Sequence, residues 1–240
     1  MRDDESPLFC VHPITEDLRF LRRLIKCFRK KYPRRFKYLK LLNNDSSHTS
    51  CLSLISGLNG KLILFLCHGN PDCILGCDFR GDRFDAAEQY EYGPFINSAN
   101  ITNLSGNKII AFCCYSNGIA ESCVKAGSPV AIGFDSIRFD YVKNFQSGLR
   151  FSKIQQAVKC EMRHFLFNSI TYGIDGNLSF QDLVSHMRLL LNKRSKIIFH
   201  SKRKHKHEIA AILLEMKTGI KLFGDTNLKV DSQFPANRIT

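Results

Sequence analysis

The chain has 240 residues, of which 44% are hydrophobic and 24% charged, the ordinary balance of a globular protein with enough length for a full core. No apolar stretch approaches the ~20 residues that span a bilayer, and the opening MRDDESPLFC lacks the basic start and long apolar run of a secretory signal, so a cytoplasmic protein without a membrane partner is expected. The net charge is +13, from 35 basic and 22 acidic residues.

The first predicted element is a helix from Thr15 to Pro33. Thr15 serves as its cap, Glu16 and Asp17 suit its N-terminal dipole, and Phe20, Leu21, Leu24, Ile25 and Phe28 form one apolar stripe. FKYLKLL (Phe36–Leu42) reads as a strand, and NNDSS as a turn leading into a helix over Ser47–Leu58. KLILFLC is short and continuously apolar, which predicts a strand buried on both faces. Residues 70–107 are rich in turns, with room for one short helix. KIIAFCC is a second buried strand, SNGIAESCVKAG a helix closed by glycine, and SPVAIGF (Ser128–Phe134) a third buried strand. Strand and helix thus alternate, which predicts an α/β fold with a mostly parallel central sheet and helices on both faces. A helical C-terminal portion follows: one or two helices over Tyr141–Ser169, LSFQDLVSHMRLLLN with a capping box from Ser179 to Asp182, and HKHEIAAILLEMKTG. One domain over residues 1–224 with a frayed polar tail over 225–240 is the simplest organisation.

The cysteines are Cys10, Cys27, Cys51, Cys67, Cys73, Cys77, Cys113, Cys114, Cys123 and Cys160. In reducing cytosol these are expected as thiols, most of them small buried hydrophobes. Basic residues concentrate in Arg22–Lys40 and Lys193–His207. Such segments suit an anionic partner such as nucleic acid, but a solvated basic face is the favoured reading because no nucleic-acid module accompanies them.

Two of the buried runs stop on reactive side chains. KLILFLC is followed by His68 and Gly69, and NKIIAFC by Cys114. In an open parallel sheet, ligands bind beyond the carboxyl ends of the strands, so neighbouring strands would bring both side chains to one edge. A thiolate that attacks and an imidazole that manages the proton suffice for acyl transfer. Gly69 admits a carbonyl close to its backbone, and its N–H with that of Cys114 would form an oxyanion hole.

The pair of motifs, KLILFLCHG and NKIIAFCCYSNGIAESCVKAGSPVAIGF, resembles the caspase-like cysteine protease clan, and most of all its CHAT branch, whose members read roughly as a strand ending in His-Gly and then SACETG…AGA…VIG. Cys114 follows His68 by 46 residues, near the ~50 of caspases. The resemblance covers about Phe36–Phe134. It implies a three-layer caspase-like sandwich, His68 as catalytic histidine, Gly69 as oxyanion donor, Cys114 as nucleophile, and no metal or cofactor. Here FCC stands where caspases have QAC, and YSNG where CHAT proteins have ETG, so Cys113 competes with Cys114 for the nucleophile's position. The resemblance further implies a protein or peptide substrate and a separate sensor that unleashes the enzyme, as bacterial CHAT-type effectors of defence and cell death often have. Acidic residues in the specificity pockets of related proteases select basic side chains. Asp135, at the end of the third strand, is the candidate for that role, ahead of Asp72 and Asp78.

Three other readings compete. Cys67, His68, Cys73 and Cys77 invite a zinc site, but their spacing departs from the usual close cysteine pairs. GIDGNLSFQDL resembles the second half of a calcium loop around Asp175, Gly176 and Asp182, but Thr171 and Gly173 stand where its first ligands belong. A catalytically inactive scaffold that binds a protein or nucleic acid through its basic face is the third.

Overall fold

The computed structural model describes residues 8–77, 93–137 and 148–231, with the backbone alone over 148–152. Among the described residues, nine strands and six helices run in the order β1 (Leu8–Pro13), α1 (Arg22–Lys31), β2 (Phe36–Leu41), α2 (Asp45–Ser56), β3 (Leu62–Phe65), β4 (His68–Asn70), β5 (Cys73–Leu75), β6 (Pro94–Ile96), β7 (Lys108–Ala111), α3 (Asn117–Lys125), β8 (Val130–Gly133), α4 (Gly148–Asp175), α5 (Phe180–Phe199), α6 (Lys206–Gly219) and β9 (Lys221–Gly224). The main sheet has the order β2-β1-β3-β7-β8-β9. All its pairings are parallel except that of the edge strand β9, which runs antiparallel to β8. A second sheet, β4-β5-β6, is small and antiparallel. The α/β class and the mostly parallel sheet agree with the alternation in the sequence.

The buried strands explain the layers. Side chains alternate across each strand, so one run feeds two cores. Leu8, Cys10, Leu62, Leu64, Ile110, Val130 and Ile132 face the core closed by α1, α4, α5 and α6. Phe9, Val11, Ile63, Phe65, Ile109, Ala111 and Ala131 face the core closed by α2, α3 and the small sheet. Phe28, Phe65, Phe95, Phe134 and Phe180 are fully buried, and truncating any one of them to alanine costs about 3–5 kcal/mol.

Several elements differ from expectation. The N-terminal helix starts at Arg22 behind a 3-10 turn at Arg19–Leu21, with neither Thr15 nor Asp17 in it. The preceding apolar run, Leu8–Pro13, is an additional strand, β1, and it lies between β2 and β3. Strand β7 ends at Ala111, two residues short of the cysteine pair. The tail expected from Asp225 starts docked against the fold. Val230 is buried, the backbone N–H of Asp225 donates to Pro129, and Asp231 pairs with Arg35. Residues 232–240 lie outside the described residues, as do Asp78 and part of the segment over 70–107.

Candidate active site

Strands β1, β3 and β7 are adjacent and parallel, so the segments that leave them emerge at one edge. The order β2-β1-β3 makes the connections diverge at β1 and β3. That divergence is the switch point at which open α/β sheets hold their ligands.

His68 follows β3 by three residues and opens β4. Its Nε2 stands against Oδ2 of Asp17, which lies in the segment leaving β1. The other oxygen of Asp17 accepts the backbone N–H of Leu18 at 3.0 Å, which fixes the carboxylate. Leu18 is held in turn by His12, at the end of β1, whose ring lies 3.2 Å from the Leu18 carbonyl and 3.1 Å from the Tyr38 hydroxyl. Burial pushes the pKa of His12 down to about 4. The ring is therefore neutral at neutral pH, and since a carbonyl only accepts, Nε2–H donates to Leu18 and Nδ1 accepts from Tyr38. From the sequence alone Asp17 suits the dipole of a helix start. Only once Leu8–Pro13 is recognised as a strand does Asp17 fall at the strand's carboxyl end, where a functional residue is sought.

Cys114 leaves β7 through a tight turn. The Cys113 N–H donates to Ala111 O at 2.8 Å. Cys113 is buried beside Cys67, whose thiol pKa is raised far above its usual range by burial and by the Cys113 neighbour. Cys114 is partly exposed, and its Sγ donates to Ile137 O at 3.2 Å. Tyr115 then takes a left-handed φ of 55°, a conformation that costs a non-glycine residue about 1–3 kcal/mol. Its N–H donates to Asp135 O at 3.3 Å. The buried Ser116 hydroxyl locks the turn, donating to Ala111 O at 2.6 Å and accepting the Phe134 N–H at 2.9 Å. Helix α3 begins directly afterwards at Asn117, so its positive end is turned toward this corner.

Gly69 ties the two halves together. A Cβ on Gly69 would come within 2.8 Å of both Cys113 Cβ and Cys114 O. Glycine is therefore required for the chain beyond β3 to touch the chain beyond β7. Of the residues expected to act together, Gly69, next to His68, approaches the backbone of Cys114 at this corner. Gly118, in the first turn of α3, repeats the device: a Cβ there would lie 2.5 Å from Pro71 O, in the β4–β5 turn.

Asp135 stands on the same edge through its backbone, accepting from Tyr115 and donating to Gly219 O at 3.0 Å. The buried position at the end of β8 goes to Phe134, so the Asp135 side chain is exposed and accepts the Ser136 N–H at 2.9 Å. The weaker candidate Asp72 is exposed in the β4–β5 turn.

The rival sites are not assembled. Among the described residues no group of three or more His, Cys, Asp or Glu is placed to hold a metal ion. Cys67 Sγ donates to Val11 O and Cys77 Sγ to Leu41 O, on different strands. Asp175 accepts from Tyr32 and pairs with Lys31, and Asp182 caps α5 with Ser179. Among the described residues no helix is long and apolar enough to cross a membrane. No protein-family model matches the chain, and no curated protein matches it in sequence.

Proposed function

We propose that the protein is a cysteine endopeptidase of the caspase-like type, with Cys114 as nucleophile, His68 as its base and Asp17 as the residue that positions His68. The observation that supports this reading is the close approach of Gly69, the residue after His68, to Cys113 and the Cys114 backbone at the switch point of a parallel sheet. His68 takes the thiol proton, and Cys114 Sγ attacks the scissile carbonyl. The oxyanion is held by the N–H groups of Gly69 and Cys114, supported by the α3 N-terminus. Collapse breaks the C–N bond as His68 passes the proton to the leaving amine. Water, deprotonated by His68, then hydrolyses the thioester and releases the acid and the free thiol. Cys114 Sγ is engaged with Ile137 O in this structure, so catalysis requires that bond to open. This supports an effector that a separate sensor or ligand switches on.

The exposed Asp135 carboxylate is the proposed selector of a basic side chain before the scissile bond. The second reading, an inactive scaffold, is favoured by that same engaged thiol. Labelling with a cysteine-directed peptide electrophile separates the two. Label that is lost in Cys114→Ala and strongly slowed in His68→Ala, but kept in Cys113→Ala, supports the peptidase. Label that follows Cys113, or no label in the presence of a broad peptide library, refutes it.

A further inference from the structure

The segment Lys193–His207 holds seven Lys or Arg and three His among fifteen residues, with no Asp or Glu. It forms the end of α5, the short connection, and the start of α6. This lobe is built rather than loose. The buried carboxylate of Glu161 on α4 takes a two-pronged grip from Arg194, at 2.9 and 2.8 Å, and a third bond from Arg203 at 2.9 Å. Ser195 donates to Ala210 O, which pins α5 to α6. His205 takes a left-handed φ of 59° and faces Glu208.

Glu161 engages two of the seven cations. Lys193, Lys196, Lys202, Lys204 and Lys206 make no ion pair among the described residues. Lys196 suits the negative end of α5, but the partial charge of a helix terminus, about half a unit, does not account for five lysines. In their midst Phe199 is 47% exposed, and the rings of His200 and His207 stand edge-on to it at 5.3 and 4.9 Å. A solvated basic face needs no exposed aromatic ring. A surface that takes phosphates and stacks a base needs both.

We infer that this α5–α6 corner binds single-stranded nucleic acid, with the five lysines on the phosphates and Phe199 stacked on a base. The corner is a junction of helix ends, not a helix face free to enter a duplex groove, which favours the single strand. It is distinct from the cysteine site and does not rest on the peptidase reading.

The test is fluorescence anisotropy of the full chain with labelled RNA and DNA oligonucleotides of about 20 nucleotides, single-stranded and duplex, over about 50–200 mM salt. Single strands should bind more tightly than duplex, with affinity falling steeply with salt at a log–log slope near −0.7 per phosphate neutralised. Lys202→Gln/Lys204→Gln/Lys206→Gln should weaken binding at least about tenfold and flatten that slope by about 2. Phe199→Ala should weaken binding roughly 5- to 100-fold at an unchanged slope, because stacking releases no counterions. Arg23→Gln/Lys26→Gln/Lys30→Gln, an equal change of charge on exposed α1 positions, should leave affinity within about twofold, since these charges lie outside the corner. Equal loss in both triple variants means diffuse attraction by net charge and overturns the site. No salt-dependent binding, a preference for duplex, or binding only to anionic vesicles or acidic peptides overturns it as well. Thermal melts matching the wild type establish that the variants fold, and retained Cys114 labelling separates this outcome from the fate of the peptidase reading.

Discussion

Asp17 is the residue on which the chemistry of His68 turns. Its carboxylate is fixed by the Leu18 N–H on one side and holds His68 on the other. Asp17→Asn should therefore slow labelling of Cys114 by a peptide electrophile about 10²-fold, the usual contribution of a well-placed acid–base group, while the melting temperature changes little. Asp17→Glu should recover part of the rate, a rescue that a purely structural role would not produce; full activity in Asp17→Asn would remove Asp17 from the site. Gly69 makes a steric prediction. Backbone and Cβ atoms, not flexible side-chain ends, stand 2.8 Å from any added methyl. Gly69→Ala should cost about 1–3 kcal/mol in denaturant unfolding and suppress labelling together. Selectivity at Asp135 is expected to be modest. The side chain is exposed, so a guanidinium paired with it keeps most of its water, and the preference for Arg or Lys over a neutral residue should be no more than about tenfold. Peptide-library cleavage by wild type and Asp135→Asn measures this, and a preference unchanged by the substitution refutes the role.

At the scale of elements, the turn between β7 and α3 decides how the nucleophile is presented. Cys113 and Cys114 lie past the strand, so their opposite orientations come from a turn clamped by Ser116 and not from strand alternation. Ser116→Ala leaves the buried Phe134 N–H and Ala111 carbonyl without this partner. Unfolding should become easier by about 1–3 kcal/mol, and labelling should slow because Tyr115 loses its fixed, left-handed backbone; urea titration and labelling rates report the two effects separately. The same clamp marks where sequence stops being informative. The ramps β3, β7 and β8 were legible because strands buried on both faces must be continuously apolar. Helices α2, α3, α5 and α6 were legible from caps and periodicity. Strand β1 was not. Leu8–Pro13 is six residues long and bounded by prolines, and it borders a stretch whose acids mimic a helix start. Missing β1 hid Asp17, because a contact that spans loops from different strands leaves no local pattern. Strand β9 is four residues at an edge, half-exposed, and carries no periodic signal.

The whole molecule is unusually rich in buried thiols, and this governs its response to pH. Burial raises the pKa of Cys10, Cys67, Cys73 and Cys77 above the ordinary 9.0, and pushes Cys51 and Cys123 up to about 12. Lys108 is displaced the other way: it is buried with its Nζ on the carbonyls of Lys229 and Val230, and its pKa falls from 10.5 to about 8. His12 falls from 6.5 to about 4. The signs differ. A thiol whose pKa is raised by folding stabilises the native state fully below 9, and this is lost as pH rises, because the unfolded chain ionises first. Lys108 binds its proton more readily when unfolded, so stability gains between about 8 and 10.5. His12 removes stability as pH falls from 6.5 to about 4. Each group fully in its window changes stability by about 1.4 kcal/mol per pH unit. Between pH 9 and 10 Cys51 and Cys123 together remove about 2 kcal/mol, the other raised thiols act in the same direction, and Lys108 restores about 1. Against a total stability of about 5–15 kcal/mol, a net loss of this sign is large enough to register in an unfolding titration. Urea midpoints measured from pH 7 to 10 under reducing conditions should fall above pH 9, and Cys123→Ala should flatten the slope by about one proton, roughly 1.4 kcal/mol per pH unit. A profile that stays level or rises through pH 10 would mean that the thiols are not held protonated by the fold.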